Sequence, residues 1–340
     1  MNITPTIYDN TGHSYTVVGG MDRGAATGLS AVLLNRNGHY SRRMIFQELE
    51  KIGFDFIVSM EGPHERYDIE ELSGRFPHIR FILLKDEISI GEQINIAALE
   101  ISSSLFFVIW NDLRILHSGG AFRMTERLLL SADELAPRQQ NSQYKRLCTV
   151  PLIQNSRFET LPTLIAPALY GNSVKTLSFV PAAEGKPSLY PFDWVGIYDR
   201  ERFLWIGGFD TALTRPHWQL MDFGFRAHLW GEEISSTQLI RISYDGDISP
   251  EDSTTEYCYR RFYLKNIAPV FRGDSAYLPL RRFPAFLRRS NGQPPFTLWK
   301  EFISARQWVK KNSFRFKNDA RSITELWDDF SELSEPAAAE

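Results

Sequence analysis

Apolar residues along this chain fall first into short, nearly continuous runs. Leu29-Ser-Ala-Val-Leu-Leu34 is one, and the polar stretch Asn35-Arg36-Asn37-Gly38 ends it. A short run of this kind predicts a strand buried on both faces, as in a parallel sheet. Phe54–Val58, Ile79–Leu84 and Leu105–Trp110 read the same way, and residues 14–18 predict a further short strand closed by Gly19-Gly20. Between these runs the period lengthens to that of a helix. Ser41 is placed to cap a helix carrying Ile45, Leu49 and Ile52, which Gly53 stops. Residues 68–74 and Ile90–Ser102 predict two more helices. Strand and helix thus alternate with short connections, the signature of a doubly wound α/β fold with a mostly parallel sheet. Ligands of such sheets sit beyond the carboxyl ends of the strands. Asn35–Asn37, Glu61 and Asn111-Asp112 follow those ends.

The pattern then weakens. Residues 137–190 are rich in Pro, Ser, Asn and Gln and predict strands and loops, with a mobile segment near 182–188. Order returns at Phe203–Phe209, in a helix over Gln219–Trp230 and in a strand over Leu239–Ser243. Residues 281–321 hold eleven Lys or Arg and two acids, and residues 322–340 hold six acids and no base. The aromatic Trp299, Phe302 and Trp308 with Ile303 fall at helical spacing inside that basic stretch, a face to pack on the preceding domain.

Composition narrows the classes. Over 340 residues the apolar share is 43% and the charged share 23%, a globular profile. A net charge of −3 gives no basic excess for nucleic acid. No apolar stretch approaches the ~18 residues of a membrane span. The opening Met1-Asn2-Ile3-Thr4-Pro5 has neither the basic end nor the apolar run of a secretory signal. The two cysteines, Cys148 and Cys258, exclude a disulfide scaffold and suit a reducing cytoplasm.

Five segments, in order, resemble the GT-A-type glycosyltransferases, specifically family 2, over about residues 27–265. They are Ala31-Val-Leu-Leu-Asn-Arg36, Phe56-Ile-Val-Ser-Met-Glu-Gly62, Gly91-Glu-Gln-Ile-Asn95, Phe106-Phe-Val-Ile-Trp-Asn-Asp112, and Trp205-Ile-Gly-Gly-Phe-Asp210 followed by Trp218-Gln-Leu-Met-Asp-Phe-Gly-Phe-Arg226. The resemblance implies a glycosyltransferase domain over 1–265, with 266–340 as a basic, mainly helical extension ending in an acidic tail. It implies transfer of a sugar, with inversion, from a UDP- or GDP-linked donor to a hydroxyl of a glycan or lipid-linked saccharide, in a cytoplasmic polysaccharide pathway.

The chemistry explains the residue types. A divalent cation, Mn2+ or Mg2+, neutralises the leaving diphosphate from a carboxylate, and a second carboxylate takes the acceptor's proton. By resemblance Asp112 holds the metal, with Asp245, or else Asp247, as a second oxygen ligand. Asn35, Arg36, Glu61, Asn95, Asn111, Gly207, Gly208 and Trp218 line the nucleotide sugar. Asp222 is the catalytic base, with Asp210 next in line.

Two departures matter. The family's run of acids before the metal is here Trp110-Asn111-Asp112, with one carboxylate. Its Glu-Asp pair, which supplies the usual base, is here Gln219-Leu220. Asp222 and Arg226 lie four apart on one helix. Asp222 therefore faces either the cleft, as the base, or the fold, as an ion pair. The departures also leave open a degenerate member that binds sugar nucleotide or glycan without turnover. A sugar-nucleotide pyrophosphorylase is a third reading. Gly19-Gly20-Met21-Asp22-Arg23-Gly24 faintly resembles its phosphate loop but has no room for the helix that loop opens. Arg281-Arg282-Phe283-Pro284-Ala285-Phe286-Leu287-Arg288-Arg289 is either a contact with an anionic membrane, at the inner face, or a solvated linker.

Overall fold

The computed structural model describes residues 14–21, 27–36, 42–63, 68–116, 120–135, 146–170, 173–244, 257–290, 292–325 and 327. Ser41, Asp22–Gly24, Asp245 and Asp247, singled out above, lie outside the described residues.

Four apolar runs become adjacent parallel strands: β2 (Leu29–Leu34), β3 (Ile57–Glu61), β4 (Ile79–Leu84) and β5 (Leu105–Trp110). Strand β1 (Tyr15–Gly19) closes one edge, antiparallel to β4. The second strand begins three residues later than its apolar run, and Phe54 packs in the core ahead of it. Helices α1 (Arg42–Ile52), α2 (Ile69–Arg75) and α3 (Ile90–Glu100) link these strands. The helix α4 (Ala121–Leu135) follows β6 (Leu113–Leu116).

Strands β7 (Arg146–Gln154), β10 (Gly196–Asp199) and β11 (Glu233–Tyr244) extend the sheet to nine strands in the order β1-β4-β3-β2-β5-β10-β7-β11-β6. Strands β7 and β11 run parallel to each other, and β10 is antiparallel to β5 and β7. Six of the nine strands therefore point one way, and their carboxyl ends share one edge. Only Asn111 and Asp112 separate β5 from β6, yet three strands lie between them in the sheet. Three peptide units span about 11 Å at most, less than four inter-strand steps. The sheet must therefore curl back on itself, and β11 allows this through a register shift between Thr237 and Arg241. The curl brings β6 and the end of β11 over the carboxyl edge of β5.

The hairpin of β8 (Leu164–Tyr170) and β9 (Ser173–Phe179) forms a separate small sheet. The segment 182–188, predicted mobile, is instead stitched to β11. Gly185 N donates to Ser236 O, Ser188 N to Ile234 O, and Ser236 N to Lys186 O. A polar, poorly periodic stretch can be fixed this way, because backbone pairing uses no side-chain pattern.

Helices α5 (Arg200–Ile206) and α6 (Pro216–Leu229) flank Gly207-Gly208. Thirteen of the fourteen residues of α6 are buried, so this helix runs through the protein rather than over it. Helix α7 (Tyr257–Phe262) passes directly into a π-turn, Tyr263–Ile267, and packs on α6. Beyond it come a two-stranded ribbon (β12, Val270–Arg272; β13, Ser275–Tyr277) and helices α8 (Phe283–Arg289), α9 (Pro295–Lys311) and α10 (Ala320–Glu325). Phe302 and Val309 of α9 are buried in the same core as α6, while Trp299 stays partly exposed. The segment after residue 265 is thus docked on the sheet domain by one shared core.

Candidate functional site

The chain leaves β2 and returns on β5 at the other side, after building β3 and β4 outward. The carboxyl ends of β2 and β5 therefore form the switch point of the sheet, the place where open α/β sheets take ligands. Arg36 follows β2, and Asn111-Asp112 follow β5. Asn111 Oδ1 accepts from the Arg36 backbone N–H at 3.1 Å. Arg36 Nε donates to Asp112 Oδ2 at 2.7 Å, and Nη1 to Asp193 Oδ2 at 2.5 Å. The guanidinium lies 4.5 Å from the Trp110 ring centre and 5.4 Å from that of Tyr244. Burial works against its charge, but the two carboxylates outweigh burial and raise its pKa.

Asp193 was not legible as a site residue. It lies 157 residues from Arg36, just before β10. Its φ is +51° and that of Trp194 is +59°. Asp tolerates the left-handed region, but for Trp it is a true outlier, and each such residue costs on the order of 1–3 kcal/mol. The strained turn aims both polar ends of Asp193 at the switch point: its carbonyl accepts from Trp110 Nε1 at 2.9 Å, and its carboxylate holds Arg36. The sequence signal was slight, an Asp-Trp pair ahead of an apolar strand.

Beside this cluster an open hollow of about 290 Å³ is lined by Asn35, Met60, Gly62, Asp86, Glu87 and Gln93, among others. It sits beyond β2, β3 and β4. Asn35 Nδ2 donates to Met60 O at 2.6 Å, which fixes its side chain across the strand ends.

Glu61 does not line this hollow. It is fully buried as the last residue of β3. Ser59 Oγ donates to Glu61 Oε1 at 2.6 Å, and Arg42 of α1 pairs with the other oxygen. A buried carboxylate needs a paired cation, and Glu61 finds it inside the fold.

The remaining predicted residues gather in a second cluster. Asn95 of α3 is buried and grips Phe209 at both backbone groups: Nδ2 donates to Phe209 O at 2.8 Å and Oδ1 accepts from Phe209 N at 2.9 Å. Gly207 caps α5 at φ +86°, and Gly208 has φ +62°. A Cβ at Gly208 would stand 2.2 Å from Asn95 Oδ1, so the close approach requires glycine. Trp218 is buried among Tyr259 and Phe262. Gln219, in place of the family's Glu, ties α6 to α3. Its Oε1 accepts from Gly91 N at 3.0 Å, and its Nε2 donates to Ser89 Oγ at 3.0 Å and Asp210 O at 3.2 Å.

Of the two orientations open to Asp222, the structure has the one turned into the fold. Its side chain has no exposed surface. Oδ2 accepts from Arg226 Nη2 at 2.9 Å and Nε at 3.2 Å; Oδ1 accepts from Lys265 Nζ at 2.9 Å and Asn266 Nδ2 at 2.8 Å. Asp210 shares Lys265 at 2.7 Å and is forked by Arg261 at 2.8 and 3.2 Å. Burial alone would raise both carboxyls, but Lys265 with Arg226 on one and Arg261 on the other hold them below the usual carboxylate range. A general base must come within about 3.2 Å of the proton it removes. In this conformation no acceptor hydroxyl reaches Asp222. Lys265, a lone cation in the apolar run Phe262-Tyr-Leu-Lys-Asn-Ile267, is the centre of this network and lies on the π-turn. Its Nζ stands 4.5 Å from the Trp308 ring centre of α9. That interruption was its only sequence signal.

Among the described residues, the donor set at the switch point does not fit a divalent cation. Hard cations take about six oxygen ligands. Asp112 Oδ2 is committed to Arg36, and among the described residues no group of three His, Cys, Asp or Glu could hold a metal. A divalent ion on the remaining oxygen would also meet the like charge of the guanidinium bonded to the same carboxylate.

No protein-family model matches the chain, and no curated protein matches it in sequence. Solved structures do match. GalNAc-T7 with UDP, GalNAc and Mn2+ superposes at a TM-score of 0.55 and 11% identity, over 89% of this chain. The chain spans 58% of the length of that structure. S. aureus TarS 1-349 in complex with UDP-GlcNAc gives a TM-score of 0.43 at 11% identity, over 86% of this chain and 77% of that one; its complex with UDP gives 0.42 at 13%, over 90% and 75%. Those two superpositions are too loose to carry weight. The mostly parallel sheet, its switch point between β2 and β5 and the superposition on GalNAc-T7 give this chain the fold of the GT-A glycosyltransferases.

Proposed function

We propose that the protein is a nucleotide-sugar-dependent glycosyltransferase that uses a UDP- or GDP-linked donor and a hydroxyl acceptor on a glycan or lipid-linked saccharide. One observation carries this reading: Arg36, Asn111, Asp112 and Asp193 converge on the switch point of the sheet, next to the hollow beyond β2–β4. The nucleotide occupies the hollow at Asn35 and Gly62, and its diphosphate reaches the Arg36 cluster. GalNAc-T7, crystallised with UDP and GalNAc, supports a nucleotide sugar as the ligand. Transfer proceeds by attack of the acceptor oxygen on the anomeric carbon as the bond to the diphosphate breaks, with inversion.

The acceptor end of the reading rests on the basic segment. Arg281, Arg282, Arg288 and Arg289 are exposed, while Phe286 is buried and Phe283 half-buried. The aromatics serve the core and the cations face out, a surface for anionic lipid at the inner membrane face. No helix among the described residues is long and apolar enough to cross a membrane.

A second reading, a binder without turnover, is favoured by one specific observation. The position of the family's catalytic carboxylate is Leu220, 3% exposed, and Asp222 is sealed behind Arg226 and Lys265. A thermal-shift screen of nucleotide sugars, followed by detection of free UDP or GDP, separates the cases. Stabilisation with nucleotide release supports the transferase. Stabilisation alone supports the binder, at roughly 2.7 kcal/mol for ligand at 100 times Kd. No stabilisation by any nucleotide sugar overturns both.

A further inference from the structure

Two buried polar atoms at the switch point have no hydrogen-bond partner among the described residues: Asp112 Oδ1 and Arg36 Nη2. They belong to one ion pair, joined through Arg36 Nε and Asp112 Oδ2. The pair is rigidly built. Asn111 holds the Arg36 backbone, Trp110 underlies the guanidinium, and the strained Asp193 turn binds Nη1. The guanidinium is therefore fixed in its plane with one nitrogen left over.

We infer that Arg36 stands in this protein where a divalent cation would stand. Arg36 Nη2 donates to a phosphate oxygen of the donor diphosphate, and Asp112 Oδ1 accepts from a hydroxyl of the same ligand. This rests on the nucleotide-sugar reading and deepens it. The argument is one of complementarity. Nη2 needs an acceptor and Oδ1 needs a donor. A bare cation satisfies Oδ1 but faces a fixed guanidinium bonded to the same carboxylate. A nucleoside diphosphate sugar brings acidic oxygens and hydroxyls in one molecule and satisfies both. A guanidinium suits the phosphate because its donors lie in a fixed fork and its charge is permanent. Asp193 is a positioning residue here: it holds Nη1 so that Nη2 is free.

The test uses the full chain. UDP and GDP are titrated calorimetrically in EDTA and in Mn2+, and Mn2+ alone is titrated by electron paramagnetic resonance. For the unaltered protein, nucleotide Kd should change by less than about twofold between EDTA and Mn2+, and free protein should leave the Mn2+ signal unaffected. Arg36→Ala should weaken nucleotide binding in EDTA about tenfold or more, the scale of one charge-assisted hydrogen bond. It should also gain Mn2+ binding, since two carboxylates lose their shared cation. Arg36→Lys, which keeps the charge and the pairing with Asp112 but has no Nη2, should show the nucleotide loss without the Mn2+ gain. It covers the case in which the alanine variant fails to fold. Mn2+ tightening nucleotide binding tenfold or more in the unaltered protein overturns the proposal, and so does Arg36→Ala binding as well as the parent in EDTA. If neither nucleotide binds under any condition, the nucleotide-sugar reading has failed. The Mn2+ titration then still decides on the cation: a gain in Arg36→Ala supports the stand-in, and tight Mn2+ binding by the parent refutes it.

Discussion

Replacing Asp222 by Asn isolates what the second cluster is for. The new side chain has the same shape and none of the charge. Asp222 takes four hydrogen bonds, two on each oxygen, from Arg226, Lys265 and Asn266. An amide can accept on one side only, so its NH2 faces donors whichever way it is turned. Lys265 keeps Asp210, but Arg226, fully buried, loses its counter-charge and keeps at most the neutral amide oxygen and the Ile206 carbonyl as acceptors. The cluster already holds three cations against two carboxylates, and the change moves it one charge further. Removing one partner of a buried pair costs about 3–5 kcal/mol. With an unfolding entropy of about 2.1 cal/mol/K per residue over 340 residues, that lowers Tm by about 4–7 °C. The assay is thermal unfolding followed by circular dichroism at pH 7, at one scan rate for both proteins. Asp193→Asn, at the part-exposed mouth, serves as the reference and should stay near the parent. Asp222→Asn within about 1 °C of the parent would refute the structural role. If that equally stable protein also turned over 10²–10⁴-fold more slowly, Asp222 would be the base after all.

Gly208→Ala should lower Tm by a few degrees, because a Cβ there meets Asn95 Oδ1 at φ +62°, whereas Gly74→Ala, on open helix surface, should raise stability by about 0.5–1 kcal/mol. Gln219→Glu, which restores the family's residue, should destabilise by about 1–3 kcal/mol through loss of the Nε2 bonds to Ser89 and Asp210, with no gain in turnover. Stability should fall with acid in two stages. Burial depresses the His228 pKa, so its contribution is present above about 6.5 and lost as pH falls below that; Asp210 and Asp222, held low, add a steeper loss below about pH 4. Tm flat from pH 7.5 to 3.5 would contradict both assignments. Co-sedimentation with phosphatidylserine vesicles should be lost at high salt and in the variant with Arg281, Arg282, Arg288 and Arg289 all changed to Gln; binding unaffected by both would exclude an electrostatic membrane contact.

The sheet's first half was legible in the sequence because its signal is local. Leu29–Leu34, Ile79–Leu84 and Leu105–Trp110 are strands at the predicted bounds, since a strand covered on both faces is apolar at nearly every position, Ser30 and Arg80 being the exceptions. The polar residues after them were legible for the same reason: where the run stops, the strand has reached the edge of the sheet. Only the tertiary structure decided what those polar groups do. Glu61 ends its strand just as Leu34 and Trp110 end theirs, yet Arg42 on the next helix back turns it inward. Arg36 meets Asp112 and Asp193 across separations of 76 and 157 residues. Asp222 is sealed by Lys265, 43 residues on. Hydrophobic periodicity reports whether a position is covered, through a pattern of a few residues. The partner of a buried charge is chosen by which elements the fold brings within about 3 Å, and no local pattern records that choice.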